Sequence, residues 1–233
     1  MRKVLLALLV VLVIGLVVAD RVGVMVAQNQ IAKQVAAKSD LPRPPDVKIH
    51  GIPFLTQAIG GEYKKIDVTI GPMTQQGVTL NDVKVELDGV KAPLTEVING
   101  DTSNVVASTA TASAIVPYDA VRRRAPSAIK SLSANGSDLQ VQGSLALLGF
   151  SRDVTIVAAV KATSKGIAVT PRSVRASGGP TVPVSLLRER FTFTVPVQQL
   201  PLGSRITDVE VTPHGLRIAA SADNVKLNNV PRA

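Results

Sequence analysis

His50 and His214 are the two imidazoles of this 233-residue chain, and it contains no Cys. Without thiols there is no disulfide framework, thiolate metal site or catalytic Cys. Two histidines are too few for a multi-histidine metal centre, and no HExxH helix, EF-hand loop or phosphate-cradling Gly loop occurs. A hydrolase would need a nucleophile, a base and an orienting group, but no Gly-x-Ser-x-Gly elbow is present. His50 stands at a strand end in Ile49-His50-Gly51, and His214 in a turn, Pro213-His214-Gly215. Both read as solvated turn residues. Asp82, Glu86 and Asp88 fall on the outer face of one strand, which suits a solvated face better than paired catalytic carboxylates. The expectation is a non-enzymatic protein with neither a metal nor a cofactor.

The remaining chemistry is charge. Lys and Arg number 26 against 17 Asp and Glu, a formal net charge of +9. Arg122, Arg123 and Arg124 form the sharpest cluster. Two readings stand for it: contact with lipid phosphates at a membrane surface, or an exposed helix end complementing the C-terminal dipole. With 45% hydrophobic and 18% charged residues, the chain is built to fold.

The elements that must position these groups begin with an export segment. Met1-Arg2-Lys3 is basic, Val4 to Ala19 carries no polar side chain, and Asp20-Arg21 follows. Residues 1–19 therefore read as a signal peptide or an N-terminal membrane anchor. Val17-Val18-Ala19 resembles a cleavage site, whereas sixteen residues are marginal for a span of roughly 20. In either case residues 20–233 lie outside the cytoplasm. Removing Arg2 and Lys3 lowers the charge from +9 to +7. An exported basic protein is expected to meet anionic lipid or acidic envelope polymers, not nucleic acid.

Val24, Ala27, Ile31 and Val35 recur at helical spacing, which predicts a helix over 20–38 ended by the Pro-rich stretch 42–45. Beyond residue 46 the period becomes two. Ile66, Val68 and Ile70 alternate with Lys65, Asp67 and Thr69. Val83, Val85 and Leu87 alternate with Asp82, Lys84, Glu86 and Asp88. Similar alternation marks 154–161, 209–212 and 216–218, so amphipathic antiparallel strands are expected. Gly77, Gly166 and Gly215 each end a turn between strands, which suggests a meander of long hairpins. Pro117 to Ala125 predicts a short helix. Residues 176–180 read as a loop within one sheet. Ile52-Pro53-Phe54-Leu55 reads as a bend carrying bulky side chains, either a plug under a sheet edge or the lip of an apolar pocket.

The export segment, helix and Pro-rich break lead into Gly51-Ile52-Pro53-Phe54-Leu55-Thr56-Gln57 and Gly60-Gly61. Together they resemble the LmeA-like phospholipid-binding family of the actinobacterial cell envelope. Ile52 stands where an aromatic is common. Leu200 to Val209, followed by Gly215-Leu216, is similar to the family's C-terminal pattern. The resemblance implies an α+β fold related to tubular lipid-binding domains, with a long curled antiparallel sheet wrapped around an N-terminal helix. It also implies phospholipid binding and a role in maturing mannose-containing envelope glycolipids such as lipomannan, alongside the enzymes that make them. On this reading residues 20–233 form a single lipid-binding domain on the periplasmic side of the cytoplasmic membrane or in the cell wall. Val24, Ile31 and Val35 would line one side of an acyl groove and Ile66, Val68, Val83, Val85 and Leu87 the other, with Phe54 and Leu55 at its mouth. Arg122, Arg123 and Arg124 would meet headgroups or the membrane surface. The alternatives are a scaffold binding envelope enzymes or glycans through its basic face, and an envelope hydrolase or transferase.

Overall fold

A computed structural model describes residues 1–39, 41, 43–75, 77–99, 101, 103–125, 127, 129–147, 150–163, 166–176, 181–182, 192–196 and 203–227. The chain opens with α1 (Arg2–Lys38), β1 (Asp46–His50), α2 (Phe54–Gly60), β2 (Glu62–Ile70), β3 (Met73–Gln75) and β4 (Val78–Lys91). There follow α3 (Leu94–Asn99), β5 (Val106–Val116), α4 (Tyr118–Arg124), β6 (Ile129–Asn135), β7 (Asp138–Leu147), β8 (Phe150–Thr163) and β9 (Gly166–Ala176). Last come β10 (Thr181–Val182), β11 (Phe193–Pro196), β12 (Arg205–Thr212) and β13 (Gly215–Lys226).

The fold is α+β, with an N-terminal helix and a large antiparallel sheet. That sheet has seven strands in the order β1-β2-β4-β5-β13-β12, with β3 paired to β4, and it does not close. A six-stranded sheet runs β10-β9-β8-β7-β6, with β11 paired to β9. The chain divides into two compact units: residues 1–70, 84–110 and 223–233, and residues 71–83 with 111–222. Strands β4, β5 and β13 contribute to both.

In the first unit α1 is one uninterrupted helix, so the apolar segment and the expected helix over 20–38 are continuous. Asp20 and Arg21 do not end it, because a charged side chain leaves the backbone ladder intact. Past Asp20 the helix lies on β1, α2 and α3. Buried Val47 and Ile49 of β1 and Ile66 and Val68 of β2 come from alternate positions, and Leu87 and Val90 of β4 join them. The Gln28 side-chain oxygen accepts from the Ile49 amide at 3.0 Å, pinning α1 to the edge strand. The bend expected at Pro53 is followed by a full helix, α2.

In the second unit a core of Leu139, Val141, Val154, Ile156, Ala158, Val169, Val174, Val211 and Leu216 joins the two strand systems. The Tyr118 hydroxyl donates to the Thr212 carbonyl at 2.6 Å. Gly77, Gly166 and Gly215 sit in hairpin turns with positive φ. Gly215 is also sterically required: at φ +151° a Cβ there would lie 2.2 Å from the Val116 carbonyl oxygen. Residues 177–180 lie outside the described set. On either side of them, Thr181 pairs with Arg175, so the chain returns to the same sheet.

Candidate functional site

The Gly51-to-Gly61 segment assembles the site in the first unit. Gly51 takes φ +103°, and a Cβ there would stand 2.7 Å from the Gln57 side-chain nitrogen. Pro53 is the N-cap of α2, which has no side-chain cap of its own. The capping acceptor comes instead from α1. The Asp20 carboxylate accepts from the Leu55 amide at 2.8 Å and also from that of Phe54. Asp20 is 5% exposed, and the neighbouring Arg21 guanidinium balances its charge. Phe54 and Leu55 lie against Gly23, where α1 presents no side chain.

The same segment ties α2 to the sheet. Thr56 donates its hydroxyl to the Pro53 carbonyl at 2.9 Å. The Gln57 side-chain oxygen accepts from the Lys64 amide at 2.9 Å, bracing α2 against β2. Gly61 ends the helix in the left-handed conformation, and its carbonyl accepts from the Ala92 amide at 2.8 Å. Each polar member of the motif thus has a mechanical task.

The apolar residues named from sequence distribute as follows. Phe54, Ile66, Val68 and Leu87 are buried in the first unit's core, with Val24, Ile31, Leu55 and Val85 packed against them. Val35 is half-buried and lies outside that cluster, and Val83 is buried but belongs to the second unit. Phe54 is not at a mouth: it is 3% exposed, its ring 6.3 Å from that of Tyr63. Leu55 is half-buried core as well. The bulky residues that do face outward are Ile52 and Ile59, at 78% and 85% exposure. Pro53 turns the chain so that Phe54 and Ala58, between them, go inward.

Two features went unnoticed in the sequence. A cleft of about 510 Å³ opens beside the C-terminal end of α2. Ala58, Ile59, Ala92, Pro93 and Leu94 line it, with Glu62, Lys91 and Asn104. This size falls within the usual range for ligand pockets, roughly 300–1,000 Å³. Inside the core, Tyr63 is 2% exposed, and its hydroxyl has no hydrogen-bond partner among the described residues. Burial pushes its phenol pKa up. Neither feature follows from local periodicity.

The charged residues stand apart. His50 Nε2 lies 2.7 Å from Asp67 Oδ2 at the end of β1. Lys65 bridges Glu86 at 2.6 Å and Asp67 at 3.6 Å, and its hydrogen bond to Glu86 raises its pKa. Asp82 pairs with Arg217 at 3.1 Å. His214 is exposed in the turn before β13. These contacts are hydrogen bonds, ion pairs and solvated turns. Among the described residues, no group of three or more His, Asp or Glu could hold a metal. Arg122 and Arg123 are exposed at the end of α4, in the second unit, and the Arg124 side chain lies outside the described set.

No curated protein matches the chain, and no solved structure does. A family match does cover the motif, α1 beyond residue 17 and most of both units: residues 18–221 fit the description LmeA-like phospholipid-binding, and the chain belongs to that family.

Proposed function

We propose that this protein binds phospholipid without catalysis on the outer face of the cytoplasmic membrane, held there by residues 4–19 of α1. The observation that carries the reading is the aliphatic cluster where α1 and α2 meet β1, β2 and β4. Acyl chains would lie against Val24, Ile31, Leu55 and Val85, above Phe54, Ile66, Val68 and Leu87, and reach them through the cleft beside Ile59. Each methylene so buried contributes roughly 0.8 kcal/mol, so part of one chain suffices for retention. The Tyr63 hydroxyl would donate to a lipid ester carbonyl, satisfying an otherwise orphaned polar atom. Arg122, Arg123 and Arg124 are assigned to headgroups or the membrane surface. The family resemblance further supports a role in the cell envelope, in maturing mannose-containing glycolipids.

Photo-crosslinking tests the reading. The full chain is reconstituted with a phospholipid carrying a diazirine in its acyl chain, irradiated and mapped by mass spectrometry. Label is expected on inward positions of residues 62–70 and 84–91. Label confined to residues 4–26, with none on those strands, overturns the internal site.

A further inference from the structure

The large apolar side chains that are exposed among the described residues are not scattered. Besides residues 1–18 they are Val22, Met25, Val26, Ile52, Ile59 and Leu94. All belong to the first unit, and all lie on α1, on α2 and its approach, or on α3, which also contacts α1. Ile59 and Leu94 line the same cleft, which joins α2 to α3.

Helix α1 fixes their level. Its exposed face carries Arg21, paired with Asp20, then Val22, Met25 and Val26, and becomes wholly polar at Asn29, Gln30 and Lys33. Residues 4–26 span about 34 Å at about 1.5 Å per residue. A bilayer's hydrocarbon core is roughly 30 Å thick. A bilayer crossed by this helix would therefore end near Val26 on the open face, past Ala19. On the opposite face α2 is clipped at Asp20 to Gly23, about 5–9 Å below Val26 along the axis. Asp20 brings no unpaired charge to that depth, because Arg21 and two amides of α2 neutralise and cap it.

We infer that Val22, Met25, Val26, Ile52, Ile59 and Leu94 form a collar seated in the outer interfacial layer of the same bilayer that residues 4–19 cross. The occupant of this surface is phospholipid. Interfacial elements bury their apolar faces by roughly 5–10 Å, which suits a short helix standing beside the emerging span. The collar puts the cleft at the lipid surface, so acyl chains would pass from bilayer to protein without crossing water. Its depth rests on the anchored reading of residues 4–19.

The chain has no Trp, so one inserted Trp is a clean reporter. The full chain carrying Ile52→Trp or Ile59→Trp is reconstituted in phosphatidylcholine vesicles with acyl chains brominated near the headgroup. Val10→Trp reports the span. Thr69→Trp reports the far end of β2, about 23 Å from Glu62 at about 3.3 Å per residue. The expected result is strong quenching and blue-shifted emission at 52, 59 and 10, and none at 69. Quenching at 10 with unquenched, red-shifted emission at 52 and 59 overturns the collar and leaves the anchor standing. Quenching at 52 and 59 without quenching at 10 supports the collar and removes the anchor. No quenching at any of the three overturns both.

Discussion

Removing the same oxygen from the chain's two tyrosines should change stability in opposite directions. Tyr63 is buried, with no hydrogen-bond partner for its hydroxyl among the described residues. Tyr118 donates to the Thr212 carbonyl at 2.6 Å. A buried hydroxyl without a partner costs about 1–3 kcal/mol, while a satisfied one contributes about 0.5–1.5 kcal/mol net. Tyr63→Phe should therefore stabilise the first unit by about 1–2 kcal/mol, the small hole left by one oxygen being a minor loss. Tyr118→Phe should destabilise the second unit by about 1 kcal/mol and leave the Thr212 carbonyl short of a donor. For a chain this long, 1 kcal/mol shifts Tm by about 2–4 °C. Thermal melts of the full chain in one detergent give the signs, and hydrogen exchange of β1 and β2 against β12 and β13 assigns them to units. If the Tyr63 hydroxyl serves a lipid ester, Tyr63→Phe also weakens phospholipid binding about fivefold to tenfold, the worth of one hydrogen bond. A Tyr63→Phe protein less stable than the parent refutes the reasoning, because the hydroxyl would then have a partner.

Four further outcomes follow from individual contacts. Asp20→Ala removes the acceptor of the Leu55 amide, so exchange at Leu55 should quicken about tenfold while β1 and β2 stay protected; equal exchange in both proteins would dismiss the clip. Gly215→Ala drives a methyl into the Val116 carbonyl and should cost the second unit about 3 kcal/mol or more, read as a fall in Tm. Arg122→Gln with Arg123→Gln should lower capture of anionic vesicles by the immobilised full chain about 30-fold at low salt, at roughly 1 kcal/mol for each cation; an unchanged salt-sensitive capture would move the headgroup site elsewhere. Hydrogen bonds from Lys130 and then Ser144 hold the Asp153 carboxyl below its ordinary pKa of 3.8. A depressed folded pKa gives stability that is present above the ordinary value and fades as pH falls through the folded one. Asp153→Asn should therefore flatten the acid limb of the second unit's stability slightly, the pair being exposed.

The strands were legible because alternation is a local property. Ile66 and Val68, or Val154 and Ile156, reveal a buried face without reference to any partner strand. The hairpin glycines were legible for the same reason, each being a local requirement for positive φ. Helix α2 was not, because its seven residues are too short for a period and its capping group lies 35 residues earlier at Asp20. Asp20 itself looked like the end of an apolar segment, when it is the joint on which the motif hangs. The bend at Pro53 could be placed, but not which way it faced. Phe54 and Leu55 turn into the core, and Ile52 and Ile59 turn out. That choice depends on Gly23 leaving room for α2 on the helix, which no property of residues 51–61 encodes.

The division of labour inside the motif bears on how lipid binding is to be sought. Gly51, Thr56, Gln57 and Gly61 are each occupied by a contact that holds α2 in place. Their loss would disturb α2, and through it every property of the first unit, so a defect in those variants would not locate a lipid. Leu55→Asp has the same fault, since it would set a second carboxylate beside Asp20 in a half-buried position. Ile59 is free of such duties: it is exposed, it makes no part of the core, and it stands on both the cleft and the collar. The residues that most resemble a motif are therefore the scaffold. On the proposed reading, the side chains that would meet lipid are the aliphatic ones around them, which the clip fixes in orientation.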